Sequence, residues 1–73
     1  MNEFIVVDPK ICSGKPTIRG TRIMVKNVLG LVAGGYSIDG ILETYAELTR
    51  EMVQAALEYA ASVIDEEQVI ARA

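Results

Sequence analysis

Histidine and tryptophan are absent from this 73-residue chain, cysteine occurs once and phenylalanine once. Without a histidine there is no Ser-His-Asp or Cys-His arrangement. With one cysteine there is no intrachain disulfide and no ordinary zinc site. The sequence therefore predicts a protein that is not an enzyme and has no catalytic residues, metal or cofactor. Cys12 reads as a small buried hydrophobe, because nothing stands ready to activate or bridge it. No uninterrupted apolar run approaches the ~20 residues of a membrane span, and the start lacks the basic and apolar regions of a secretory leader. These absences predict no membrane partner and a cytoplasmic setting with a reduced thiol.

What is present is apolar and unevenly charged. Hydrophobic residues make up 51% of the chain, too many for a disordered segment. A domain this short buries only about 60% of its unfolded surface. The surplus apolar surface predicts a homodimer. Residues 1–36 carry five of the seven Lys and Arg and sum to +3, whereas residues 37–73 sum to −6. A basic front and an acidic back imply two surfaces with different partners.

The chain reads as a single domain of residues 1–73: a basic β/loop front (1–24), a three-helix core (25–61) and an amphipathic helical extension (62–73). Phe4-Ile5-Val6-Val7, stopped by Asp8-Pro9, predicts a strand. Thr17-Ile18-Arg19 and Arg22-Ile23 flank Gly20-Thr21 as a small hairpin. The mate of residues 4–7 is either that hairpin or a strand from a second subunit. Val25, Val28, Leu29 and Val32 share one face of a first helix, ended by Gly34-Gly35. Ser37 caps a second helix with the stripe Ile38, Ile41, Leu42, Tyr45. Thr49 caps a third, with Met52, Val53, Ala56, Leu57, Ala60 and Ala61 buried. Beyond Ser62, Val63, Ile64, Val69 and Ile70 interleave with Asp65, Glu66 and Glu67, a stripe predicted to need a groove on another protein.

Ser13-Gly14-Lys15 has the look of a phosphate-loop ending, but Pro16 follows where a helix N-terminus is required, so it reads as a structural turn. Arg19 and Arg22, three apart around Gly20-Thr21, form either a two-pronged anion clamp or a solvated pair. The helix spacing matches a helix-turn-helix, yet Arg50, Glu51, Gln54 and Glu58 at the start of the third helix are net negative, which opposes phosphate. The predicted DNA-contacting set is Lys15, Arg19, Arg22 and Lys26 from the front, with Arg50 and Gln54 from the third helix.

The pattern D-P-x-I-C-x-G-K-P-x-I-R-G-T-R-I, followed by G-Y-S, I-L-x-x-Y, L-T and A-A-L-x-Y-A-A, resembles the domain-of-unknown-function family 433 over Val7 to about Ala61. The resemblance implies a mainly α fold: a helix-turn-helix-like (homeodomain-like or winged-helix-like) core behind a short N-terminal β element. It makes Gly14, Lys15, Pro16, Ile18, Arg19, Gly20, Thr21, Arg22 and Ile23 signature positions. It also implies a VapB-like antitoxin of a type II toxin–antitoxin pair, neutralising a PIN-like nuclease toxin and binding operator DNA to autoregulate. Two departures stand out: Met24 and Ala46 occupy positions where such chains often carry Pro, which loosens both turns. On this reading Val63, Ile64, Val69 and Ile70 bind the toxin while the basic front meets DNA. Alternatively, Arg19 or Arg22 enters the nuclease's carboxylate cluster. The rival readings are a stand-alone DNA-binding regulator and a dimerisation module with no nucleic-acid role.

Overall fold

The computed structural model describes the backbone of residues 2–71 and the side chains of residues 2–65. Two short strands, β1 (Ile5–Val6) and β2 (Thr17–Ile18), precede three helices, α1 (Val25–Ala33), α2 (Ile38–Thr44) and α3 (Arg50–Ala71). The fold is mainly helical, with an antiparallel two-stranded sheet in which Ile5 faces Ile18 and Val6 faces Thr17.

The hairpin supplies β1 with its mate. After β2 the chain turns through Gly20, whose φ of +83° suits only glycine at little strain. The Thr21 amide donates to the Ile18 carbonyl at 3.0 Å, and the Ile23 amide donates to Thr21 Oγ1 at 3.0 Å. The return arm then pairs with β2 through Ile18 N–H to Ile23 O at 2.9 Å and Val25 N–H to Pro16 O at 2.9 Å. β2 is thus central, with β1 on one side and residues 23–25 on the other. The alternative of a strand from a second subunit is not needed, and the case for a dimer drawn from an unpaired strand falls. The strand is also shorter than residues 4–7, because Asn2 already ties the Phe4 amide to its side chain and the Ile5 amide to its carbonyl.

Each helix starts and stops by local hydrogen bonding. Asn27 Oδ1 reaches back to accept from the Met24 amide at 3.0 Å, substituting for the missing polar cap. At the C-terminal end of α1, Gly35 is left-handed (φ +94°). The Tyr36 and Gly35 amides donate to Leu31 and Val32 carbonyls, each at 3.0 Å, the Schellman arrangement. Ser37 Oγ caps α2 by accepting from Gly40 N–H at 3.1 Å, and Thr49 Oγ1 caps α3 by accepting from Met52 N–H at 3.2 Å.

Ile18, Val28, Ile41 and Val53 form the fully enclosed centre, where β2 and all three helices meet. Leu29, Ile38, Leu42, Tyr45, Met52 and Leu57 pack around it, partly exposed. Two predicted positions differ, and one unpredicted position joins the core. Val32 is 42% exposed and Ala61 is exposed, whereas Ala55, not anticipated, is buried. Ala55 is buried because α3 has a second neighbour: Asn2 Nδ2 donates to the Ala55 carbonyl at 2.6 Å, so the N-terminal segment covers a flank that the helical stripe alone leaves out. Among the described side chains Ala60 is the last buried one of α3, and the helix backbone runs on to Ala71.

Candidate functional site

The signature segment is a scaffold of buried, mostly apolar residues that holds cations outward. Thr17, Ile18, Ile23 and Val25 are buried, while Lys15, Arg19, Arg22 and Lys26 are all exposed. Burial of the first group fixes the backbone from which the second projects, so the charged tips are carried on pinned chain. Arg19 is further held, because its Nε donates to the Glu3 carbonyl at 2.7 Å and its amide donates to the Phe4 carbonyl at 2.8 Å. The thiol of Cys12, half-buried and not enclosed as expected, lies 3.7 Å from the Arg22 carbonyl. Cys12, Ser13 and Gly14 all have positive φ, at 51°, 58° and 82°, a tight turn that Pro16 then leads into extended chain. Lys15 is extended (φ −76°, ψ 146°) and no helix follows it directly, so the backbone amides that cradle a phosphate in a P-loop are not assembled here.

Two grooves flank α3. One, along β1, is lined by Phe4, Val7 and Tyr59 with Glu3, Glu51 and Glu58; Arg50 and Gln54 stand in it too. Arg50 is engaged by an ion pair with Asp39. The other groove, of about 370 Å³, lies between α3 and α1 and is floored by Pro16, Met24, Leu29, Tyr59 and Val63, with Lys15 and Lys26 among its lining. The predicted DNA-contacting residues therefore do not form one patch. Lys15 and Lys26 border the apolar groove, Arg19 and Arg22 straddle the Gly20 turn, and Arg50 and Gln54 sit among carboxylates on the opposite flank.

The proposed toxin stripe is also divided. Val63 is half-buried and lines the groove beside Leu29, so it has neighbours within its own chain, contrary to expectation; Ile64 is 61% exposed at the same groove. The side chains of Val69 and Ile70 lie outside the described residues. Sequence reasoning missed Tyr59, which lines both grooves. Its signal was present, since Tyr59 stands four residues from both Ala55 and Val63 and so shares a helix face with each. Among the described residues, no three His, Cys, Asp or Glu side chains gather as a metal site, and no helix is long and apolar enough to cross a membrane.

Comparison with known proteins places this geometry. Residues 5–60 match the family model described as "Protein of unknown function (DUF433)". The chain is 38% identical over 58 residues to the uncharacterized protein y4eO of Sinorhizobium fredii (strain NBRC 101917 / NGR234), a match covering 80% of this chain and 26% of that protein. The chain thus spans about a quarter of the length of that curated relative. The crystal structure of a DUF433 member protein from Anabaena variabilis ATCC 29413 superposes with a TM-score of 0.79 at 30% identity, covering 93% of this chain and 68% of that one. The family model spans the strand pair, the signature hairpin, α1, α2 and α3 as far as Ala60, and the chain belongs to the DUF433 family.

Proposed function

We propose that this protein is a non-enzymatic binding module, the antitoxin of a type II toxin–antitoxin pair. It neutralises a PIN-like ribonuclease and represses its own operon as a homodimer with a helix-turn-helix-like core. The observation that carries the proposal is the signature hairpin, whose apolar residues are buried while Arg19 and Arg22 are exposed on either side of the Gly20 turn. A pinned backbone presenting two guanidinium groups suits an anionic partner, because each planar fork accommodates a carboxylate or phosphate in bidentate fashion. In this reading Arg19 and Arg22 enter the carboxylate cluster with which a PIN-like nuclease holds its metal ions, and occupy the place of the cation. The same two guanidinium groups supply the attraction to operator phosphates.

Helix-turn-helix reading of bases by α3 has less support. Arg50 and Gln54 share their groove with Glu3, Glu51 and Glu58, and Arg50 is paired with Asp39, whereas phosphate contacts supply most nonspecific DNA affinity.

The test is a titration of wild type and an Arg19→Ala, Arg22→Ala variant against the product of the neighbouring gene and, separately, against the DNA upstream. Loss of about 100-fold or more in affinity for the nuclease is expected, since two charge-assisted contacts are removed at once. Binding to DNA should weaken too, with a shallower salt dependence. Unchanged binding and inhibition by the double variant would end this assignment of the hairpin.

A further inference from the structure

We infer that the apolar groove between α1 and α3 is the seat of a second copy of this chain. In a two-fold arrangement, the stretch of each α3 around Ile64 lies across the other copy's groove. The inference rests on the homodimer of the proposed function and names its interface, and its test, made without nuclease or DNA, can fail or succeed apart from the nuclease contact.

Two observations converge. The first is shape: beyond buried Ala60, Val63 is half-buried in its own chain's groove, whereas Ile64, lining the same groove, is left 61% exposed. The second is charge: Lys15 and Lys26 line a groove that is otherwise apolar, and exposed Asp65 directly follows Ile64. An aliphatic anchor followed by a carboxylate complements an apolar floor bordered by two ammonium groups.

That the groove and the segment that fits it lie side by side on one surface is what an isologous interface requires, since each patch must be its own complement. With two α3 helices crossing near residue 64, Ile64 of each copy enters between Leu29 and Pro16 of the other. Asp65 is then carried toward the other copy's Lys15 and Lys26. The hairpin prongs Arg19 and Arg22 do not line this groove and stay available to an anionic partner.

The test is sedimentation equilibrium on the full chain, with neither nuclease nor DNA present. Wild type should run at twice the monomer mass at about 50 µM, with the equilibrium following concentration. Ile64→Glu should be monomeric there with an unchanged thermal melt, as expected for an exposed position. Lys26→Glu should raise the dissociation constant about tenfold or more, and adding Asp65→Lys to it should restore most of that loss. The swap is decisive even if Ile64→Glu folds poorly, because Lys26 and Asp65 are both exposed and a purely structural role would not be rescued by reversal. A monomeric wild type at 100 µM, or a dimer equally tight in Ile64→Glu, overturns the inference. So does a Lys26→Glu, Asp65→Lys variant no tighter than Lys26→Glu alone.

Discussion

The two flanks of α3 share one helix and differ in what lies across from it. Along β1, the N-terminal segment packs over Ala55 and the groove it leaves is lined by Glu3, Glu51 and Glu58. Along α1, the groove is floored by Leu29, Met24 and Val63 and lined by Lys15 and Lys26. A strongly basic front and acidic back in sequence thus become something subtler in space. Glu51 and Glu58 of α3 sit with the β1 flank, and two of the front's lysines line the groove on the helix's other side. Charge summed along a chain says which partners are plausible, but the fold decides which charges face the same partner.

The sharpest way to test whether the α1 flank is open surface is to make the same change at two isoleucines. Ile18 is fully enclosed beneath the sheet and helices, and Ile64 is 61% exposed. Ile18→Ala should cost about 2–5 kcal/mol, the range for deleting a buried aliphatic side chain and leaving a cavity. For a domain this small that is a large share of its total stability, so substantial unfolding at 37 °C is expected. Ile64→Ala should lower the unfolding free energy from urea titration by less than about 0.5 kcal/mol, as at other exposed positions, when measured at monomeric concentration. A comparable loss at both positions would mean that Ile64 is part of the core and that the groove is closed in solution.

Most of this architecture was legible in the residues. The 3,4-spaced stripes of α1, α2 and α3 located the helices, and Ser37 and Thr49 act as the caps their positions predicted, because capping is decided within four residues. The Gly20 turn was legible for the same reason. What sequence could not supply was the neighbour across each face. Val32 satisfies the helical spacing of α1 but lies on the side with nothing opposite, whereas Ala55 breaks the α3 stripe and is buried because Asn2 sits over it. The choice between the hairpin and a second subunit as mate for β1 was likewise open until the register was known. For the site, the exposed cations of the signature were readable as a class. Their division between the Gly20 turn, the apolar groove and the acidic flank depends on contacts between residues far apart in sequence.

The hairpin and the β1 flank can be loosened separately. Gly20 has no heavy atom within 4 Å of the position a Cβ would take, so its φ of +83° is the whole objection to a side chain there. Gly20→Val should therefore cost about 1–2 kcal/mol from backbone strain alone, and the change should reach Arg19 and Arg22, which flank it. Chemical-denaturation midpoints together with the nuclease titration give both readings; a neutral substitution would mean that the turn adopts another form in solution. Asn2→Ala removes the side-chain bonds to Ala55 O and Phe4 N–H and should cost about 1 kcal/mol. Amide exchange should rise in β1 while α1 stays protected. Equal loosening of both flanks would show that the N-terminal segment supports the whole domain and not one groove.

The smallest expected effect concerns the ion pair that ties α2 to the start of α3. Arg50 and Asp39 are paired, but their side chains are 61% and 74% exposed, so water and salt screen the attraction and ordering two surface side chains offsets much of it. Asp39 also lies in the first turn of α2, where a carboxylate is favourable to the helix end, so Asp39→Asn is preferred to Ala as the probe. The loss should be about 0.5 kcal/mol or less at low ionic strength and should fade by 0.5 M salt. In exchange, Arg50 is released among Glu3, Glu51 and Glu58, leaving the β1 flank less negative by one charge. If repulsion from that flank is what keeps α3 from phosphate, nonspecific DNA affinity should rise slightly in the same variant, by about threefold or less, with a steeper salt slope. A stability loss above about 1.5 kcal/mol, unaffected by salt, would instead mean that the pair organises the α2–α3 junction, and that the acidic flank is built as carefully as the apolar one.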